Sequence, residues 1–223
     1  AAQNKSGIAA FYFADCVAGA GGEENLAQAA DWYAKSAAYG FSFALTALAD
    51  MYMHGRGVAK DPDRAVVLCR QVANMGSPPA QTQLGMYYLT GDTTVRNPEK
   101  AARWFKEAAQ LNYPEAQYLL GRQLNDGNGI KKDETAARFW LESAASNGYE
   151  KAYLHTARLY CGRNAQWVNQ GLKAEYLAKS YLWLSAGLKR VNSAPEQKEM
   201  AAMLAIVESA MPKAWKPDLD KQI

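Results

Sequence analysis

The sequence is poor in the two residue types that most often bind metals, with three cysteines and two histidines among 223 residues. The cysteines show no CxxC spacing, and His54 and His155 are far apart. Because a zinc site needs about four clustered ligands, we expect no metal site. No nucleophile, base and orienting acid can be assembled either, so we predict no catalytic or cofactor-binding residues and expect that the protein is not an enzyme.

Charge of one sign and long apolar runs are also missing. The 25 Lys and Arg are mixed with 22 Asp and Glu, which gives a net charge of only +3. No block of like charges suggests a nucleic-acid partner. The longest apolar stretch, residues 8–20, is interrupted by Asp15. It is shorter than the roughly 18–20 residues of a membrane helix, so we expect no membrane insertion.

What the sequence does contain is a repeat of 36 residues. In the first half of each unit an alanine is followed by leucine, a small residue and usually tyrosine, at offsets of four, five and eight. These offsets share one helix face, where the small residue admits a neighbouring helix. The second half has an alanine followed three positions later by tryptophan or leucine. The alanines are Ala44, Ala80, Ala116 and Ala152 in the first halves, and Ala29, Ala65, Ala101 and Ala137 in the second halves.

Each second half begins and ends with residue types that delimit helices. Helix N-termini favour side chains that accept a backbone hydrogen bond, and C-termini favour residues that adopt a left-handed conformation. The predicted caps are Asn25, Asp61, Asn97 and Asp133, two of them followed by the first-turn prolines Pro62 and Pro98. The predicted terminating residues are Gly40, Gly76, Asn112 and Gly148.

The pattern therefore predicts two helices in each unit. The first helices are predicted near residues 8–17, 43–54, 79–90, 115–125 and 151–161, and the second near 25–39, 62–75, 98–111, 133–147 and 173–190. A longer loop, Gly162–Lys173, interrupts the fifth unit. The run from Ser193 to Glu196 resembles a capping box that opens a last helix, which would end near Met211 and cap the stack.

These elements predict one domain over residues 1–223. Its units would be about 9–43, 44–79, 80–115, 116–151 and 152–190, with a capping helix and tail over 193–223. Cys16, Cys69 and Cys161 fall in units one, two and five. Packed helix axes lie about 8–10 Å apart, and a disulfide needs Cα atoms within about 7 Å. We therefore expect three free thiols.

The segments from Leu48 to Val58 and from Ala101 to Phe105 resemble the Sel-one-like repeat (SLR) family, a relative of tetratricopeptide repeats. The resemblance covers about residues 9–190. It implies an all-α, right-handed α-solenoid of about five helix-turn-helix repeats, and a role as adaptor, scaffold or inhibitor without a shared catalytic set. The third unit has Thr93-Thr94 where the family has glycine and valine, so its loop is expected to differ.

In such a solenoid the first helices form the inner wall, on which we expect a protein partner to bind. A helical wheel places offsets two, three, six and ten from the anchoring alanine on that wall, away from the core. Tyrosine and arginine there are frequent interface hot spots. The predicted partner-binding residues are Met86, Tyr118, Arg122, Leu154, His155 and Arg158. The Gly162–Lys173 loop and the tail around Trp215 are alternative binding elements.

The functional expectation is a monomeric, non-enzymatic protein-binding solenoid. The opening Ala1-Ala2-Gln3 resembles what signal-peptide cleavage leaves, although an engineered start looks the same, and it favours a periplasmic or otherwise exported protein. By family resemblance the protein is an immunity protein, for example against a type VI secretion lipase effector, or an envelope-complex adaptor. A cell-wall-fragment binder or hydrolase is the alternative.

Overall fold

The computed structural model describes residues 2–165, 167–168 and 171–223, and every regular element within them is helical. Five pairs of packed helices follow one another. They are α1 (Ala2–Gly19) with α2 (Glu23–Ala38), α3 (Phe43–His54) with α4 (Pro62–Asn74), α5 (Pro78–Thr90) with α6 (Pro98–Gln110), α7 (Pro114–Asp126) with α8 (Glu134–Ser146), and α9 (Glu150–Cys161) with α10 (Ala174–Arg190). After α10 come α11 (Ala194–Ala210) and α12 (Lys216–Asp220), and 3₁₀ turns lie at Arg163–Ala165 and Lys213–Trp215.

The protein is thus an all-α solenoid of helix pairs, as the repeat predicts. Three of the four predicted caps are confirmed. The side chain of Asp61 accepts a hydrogen bond from the backbone N–H of Arg64 at 2.9 Å, and Asn97 does the same for Lys100 at 2.9 Å. The Asp133 carboxylate accepts from two backbone groups, Thr135 at 3.0 Å and Ala136 at 2.9 Å.

The prediction for Asn25 is wrong. Helix α2 begins at Glu23, with Gly22 in the N-cap position, so Asn25 lies inside the first turn. Its side-chain amide instead donates to the Gly21 carbonyl at 2.6 Å. The capping box predicted at Ser193–Glu196 is only partly present. Ser193 is the N-cap of α11, but its side chain makes no capping hydrogen bond.

Positive φ angles mark the turns between units, as predicted. Asn112 has φ 59°, and the corresponding glycines, such as Gly76 at 83°, have similar values. Asparagine tolerates this conformation best after glycine because its short polar side chain can hydrogen-bond locally. Asn112, in the place where the other units have glycine, therefore keeps the same turn conformation.

In two units a further glycine lets the loop between the helices approach the backbone of an earlier helix closely. A Cβ on Gly57 would lie 2.3 Å from the carbonyl carbon of Leu26, and one on Gly129 would lie 2.2 Å from that of Pro98. No side chain fits at either position. The loop of the third unit differs, as expected from Thr93-Thr94: Gly91 has φ −66° instead of a left-handed conformation, and Val95 fills the space beside it.

The helices group into two compact units. The first comprises the chain up to Leu111 together with Asn128–Ile130, and its core includes Ala14, Tyr33 and Leu48. The second comprises Asn112–Gly127 and Lys131–Ile223. Its core includes Leu141, Tyr153 and Leu184 together with Met200, Met203 and Val207 of α11. Helix α11 packs on α10, where a Cβ on Gly187 would lie 2.7 Å from the sulfur of Met200.

All three cysteines are free thiols, as predicted. Cys16 is exposed on α1, whereas Cys69 and Cys161 are buried. Burial disfavours the thiolate and raises the pKa of Cys69 to about 12, and it raises the pKa of Cys161 as well.

Candidate functional site

The predicted partner-binding residues lie in both compact units. Met86 is on α5 in the first unit and is half-buried. The other five lie on α7 and α9 of the second unit: Tyr118, Arg122, Leu154, His155 and Arg158. These five residues lie close together, and three of them, Arg122, His155 and Arg158, line a pocket.

Two of these five side chains do not line an open wall. Tyr118 is only 5% exposed and Leu154 only 3%, and both belong to the core of the second unit. The Tyr118 ring packs against Tyr149 and His155, with centroid distances of 5.1 and 5.3 Å. The prediction that offset two lies off the core is therefore wrong, because this position faces the first helix of the next unit.

Helix α11 takes the corresponding place beside Leu154. Leu154 shares its core cluster with Met200 and Met203 of α11. Arg158, one turn along α9, donates from Nε at 3.1 Å and from Nη2 to one carboxylate oxygen of Glu199 on α11. Helix α11 thus reaches α9 as well as α10, and part of the predicted binding wall is covered by the chain itself.

An open pocket of about 320 Å³ remains beside the covered part. We call it the arginine pocket. Three arginines line it, Arg122 of α7, Arg158 of α9 and Arg163 of the turn after α9. The other lining residues are Asn125, Asp126, Leu141, His155, Leu159 and Trp167.

The charge of the arginine pocket is positive, because its three arginines outnumber the nearby acids Asp126 and Glu199. Of its three arginines, only Arg158 forms an ion pair with a carboxylate among the described residues. The guanidinium of Arg122 lies 5.8 Å from the ring centroid of Tyr118, and Arg122 and Arg163 are exposed. One acid, Asp126, stands among the lining residues. The pocket can therefore accept further negative charge.

The surroundings of His155 favour its neutral form. Desolvation lowers its pKa, and the positive charges of Arg122 and Arg158 lower it further, against the opposing effects of the Lys151 carbonyl and Asp126. Its Nδ1 lies 3.0 Å from the Lys151 carbonyl oxygen. Since a carbonyl can only accept, Nδ1 carries the proton, and the second proton is the one that titrates.

Trp167 is brought to the pocket by the anchoring of its neighbours. Ala165 and Val168 are buried in the core, and the Trp167 backbone N–H donates to the Cys161 carbonyl at 3.0 Å. The indole is left 40% exposed. Residues 166, 169 and 170 of the Gly162–Lys173 loop lie outside the described residues.

A larger pocket of about 380 Å³ lies between α8 and α10. Its Glu142 carboxylate accepts hydrogen bonds from Tyr160 at 2.8 Å and Lys179 at 3.1 Å. This acid is thus already satisfied within the chain. The positive and negative charges of this pocket are therefore more nearly balanced than those of the arginine pocket.

Neither pocket presents a metal site. No group of three or more His, Cys, Asp or Glu side chains in the described part of the chain could hold a metal ion. Across the same residues, no helix combines the length and the apolar character needed to cross a membrane.

The repeat can now be compared with known proteins. The model of the Sel1 repeat matches residues 8–40, 42–77, 78–113 and 114–149, more than half of the chain. This chain belongs to the Sel1 repeat family. The fold of the family is a protein-interaction scaffold. No curated protein matches the chain in sequence.

Solved structures share the Sel1-repeat fold. A Sel1 repeat protein from Oxalobacter formigenes is 27% identical, with a TM-score of 0.68, over 85% of this chain and 75% of that one. The protective antigen c5321 of uropathogenic Escherichia coli is 27% identical with a TM-score of 0.64, over 95% of this chain. The present Sel1-repeat chain spans only about half of the length of that antigen, 47%. The immunity protein Pa5087 from Pseudomonas aeruginosa shares the fold at 22% identity and a TM-score of 0.51, over 92% of this chain and 80% of that one.

Four lining residues were not among the predicted ones, Asn125, Asp126, Leu141 and Leu159, and neither was Glu199, which pairs with Arg158. Arg163 and Trp167 lie in the Gly162–Lys173 loop, which the sequence indicated through its extra length as an alternative binding element. Glu199 has no such signal, because nothing in the repeat indicates which face of α11 meets α9.

Proposed function

We propose that this Sel1-repeat protein binds a protein partner through the arginine pocket and acts there as an inhibitor of the immunity-protein type. The observation that carries the proposal is the convergence of Arg122, Arg158 and Arg163 beside the exposed indole of Trp167. Arginine and tryptophan are the residue types most enriched among interface hot spots. Their side chains combine broad contact area with donors that point in fixed directions.

The packed surroundings of the pocket support tight binding. Its walls come from the helices α7, α8 and α9, which are fixed by the buried residues Tyr118, Leu141 and Leu154. A preorganised surface loses little entropy on binding. An inhibitor needs such a surface, because it must remain bound to its target.

The cellular role rests on one further point. The immunity protein Pa5087 shares the fold. We therefore propose a toxin enzyme as the partner and the periplasm as the place where the two proteins meet. Fractionation of the source cell checks the location: a purely cytoplasmic signal contradicts it.

Affinity capture from the source cell tests the function. The parent chain, the double variant Arg122→Glu with Arg163→Glu, and the control Arg103→Glu, an exposed arginine of α6, are compared by mass spectrometry. We expect one protein to be captured by the parent and the control but not by the double variant. Inhibition of that protein's enzymatic activity at equimolar concentration then supports the inhibitor role. Equal capture by the double variant, or binding without inhibition, contradicts it.

A further inference from the structure

The contact between Arg158 and Glu199 shows which chemistry the arginine pocket accepts. Both Nε and Nη2 of Arg158 donate to one oxygen of Glu199, and the two side chains are about a quarter exposed, 26% and 30%. One of the three arginines thus already binds a side-chain carboxylate. Arg122 and Arg163 have the same donors and no carboxylate within pairing distance among the described residues.

We infer that the partner presents an acidic polypeptide segment, whose carboxylates bind Arg122 and Arg163 and displace Glu199 from Arg158. This inference rests on the proposed function, since it names the partner chemistry of the same pocket. Charge complementarity carries it: the three guanidinium groups meet two acids, Asp126 in the lining and Glu199 on Arg158, and displacement of Glu199 leaves two positive charges for the segment. Arginine binds carboxylates in a planar, two-donor geometry that a lysine cannot reproduce.

The shape of the pocket favours a polypeptide over a nucleic acid. A volume of about 320 Å³ accommodates one or two side chains, and Leu141, Leu159 and Trp167 give it apolar walls. A nucleic-acid groove instead needs basic groups that continue along the surface. The basic groups of the lining are three clustered arginines, one of them paired with Glu199.

Glu199 is the built-in competitor in this arrangement. While it pairs with Arg158, it lowers the positive charge that an incoming segment meets. Replacing the carboxylate by an amide keeps the size of the side chain and removes its charge. Glu199→Gln should therefore raise the affinity for an acidic segment by about two- to five-fold, the range of a partly exposed ion pair.

Fluorescence anisotropy with a synthetic probe tests this directly. The probe is a fluorescein-labelled octapeptide of glutamates with one central leucine, and the same peptide with lysines is the control. We expect binding of the acidic peptide only, weakened by salt. We expect it to be weakened about tenfold or more in Arg122→Glu with Arg163→Glu, unchanged in Arg103→Glu, and tightened in Glu199→Gln. Circular dichroism and melting of each variant exclude unfolding as the cause.

The other outcomes overturn the inference. If a thymidine octanucleotide displaces the probe more effectively than unlabelled acidic peptide, the pocket binds nucleic acid. If inorganic phosphate at equal charge concentration does so, the pocket is a simple anion site. No gain in Glu199→Gln refutes the displacement. Loss of cellular capture in the double variant without any binding of the peptide leaves the proposed function standing and refutes the acidic segment alone.

Discussion

Arg158 on α9 is paired with Glu199 on α11, 41 residues later in the chain. The contact joins the first helix of the fifth pair to a helix that lies outside the repeat. It withdraws one arginine from the surface that the repeat pattern assigns to partner binding. The exposed binding residues are consequently Arg122, Arg163 and Trp167 rather than Tyr118 and Leu154.

The burial of Tyr118 predicts a large effect on stability. Tyr118→Ala should lower the free energy of unfolding by about 3 kcal/mol or more, because the ring is enclosed by Tyr149, His155 and the core of the second unit. Urea unfolding measures it. Tyr118→Phe, which keeps the ring, is the matched control and should cost much less. Equal stability of the alanine variant would restore the open-wall interpretation.

His155 predicts a pH dependence of stability. Because its pKa is lowered in the folded state, the unfolded chain binds a proton more readily below the ordinary value of about 6.5. The free energy of unfolding should therefore be higher above that pH and fall as the pH drops through it. Urea unfolding at pH 7.5 and pH 5.5 should show a smaller difference in His155→Gln than in the parent. An identical difference would contradict the neutral state of His155.

The hydrogen bonds of Asp133 predict that this N-cap stabilises the folded protein. Asp133→Ala leaves the N–H groups of Thr135 and Ala136 without their acceptor and should cost about 0.5–2 kcal/mol. Asp133→Asn keeps an acceptor and should cost less. Thermal melting of the two variants side by side decides it, and superimposable curves for parent and alanine variant would show that the cap contributes nothing.

Gly85 predicts that the small position of the repeat is required for helix packing. A Cβ there would lie 2.5 Å from the ring of Phe105, so Gly85→Ala should cost about 1–3 kcal/mol. Gly19, also helical, has nothing within 4 Å of the added atom. Gly19→Ala should be neutral or slightly stabilising. A comparison of the two melting temperatures tests the prediction, and it fails if both variants match the parent.

The thiols predict two levels of reactivity. Cys16 is exposed, whereas Cys69 and Cys161 are buried and have raised pKa values. Ellman's reagent should titrate one thiol in the native protein and three after denaturation without a reductant. A count of one after denaturation would reveal a disulfide, and three fast-reacting thiols in the native protein would show that the helices do not bury Cys69 and Cys161.

The helices could be predicted from the sequence because each depends on local signals. Asp61 and Asn97 begin helices at the predicted residues, and Asn112 ends one as glycine does elsewhere. At Asn25 the same signal failed, since the turn of Gly21 and Gly22 starts the helix earlier.

The binding surface was harder to predict because burial depends on the neighbouring helix. Offset two carries Thr46, Thr82, Tyr118 and Leu154, a mixture that resembles a solvated face. Yet Thr82 is as well buried as Leu154, each 3% exposed. A helical wheel describes one helix and contains no information about the side of the next one. Glu199 lies outside the repeat and could not be placed at all.

The contacts at Gly57 and Gly129 join main chain to main chain, at Leu26 and Pro98. The distance between these segments is therefore independent of side chains on the outer surfaces. Mutations that change Arg122, Arg163 or Trp167 leave that distance unaltered. A few surface substitutions could thus exchange one partner for another, while the two glycines keep the spacing of the scaffold.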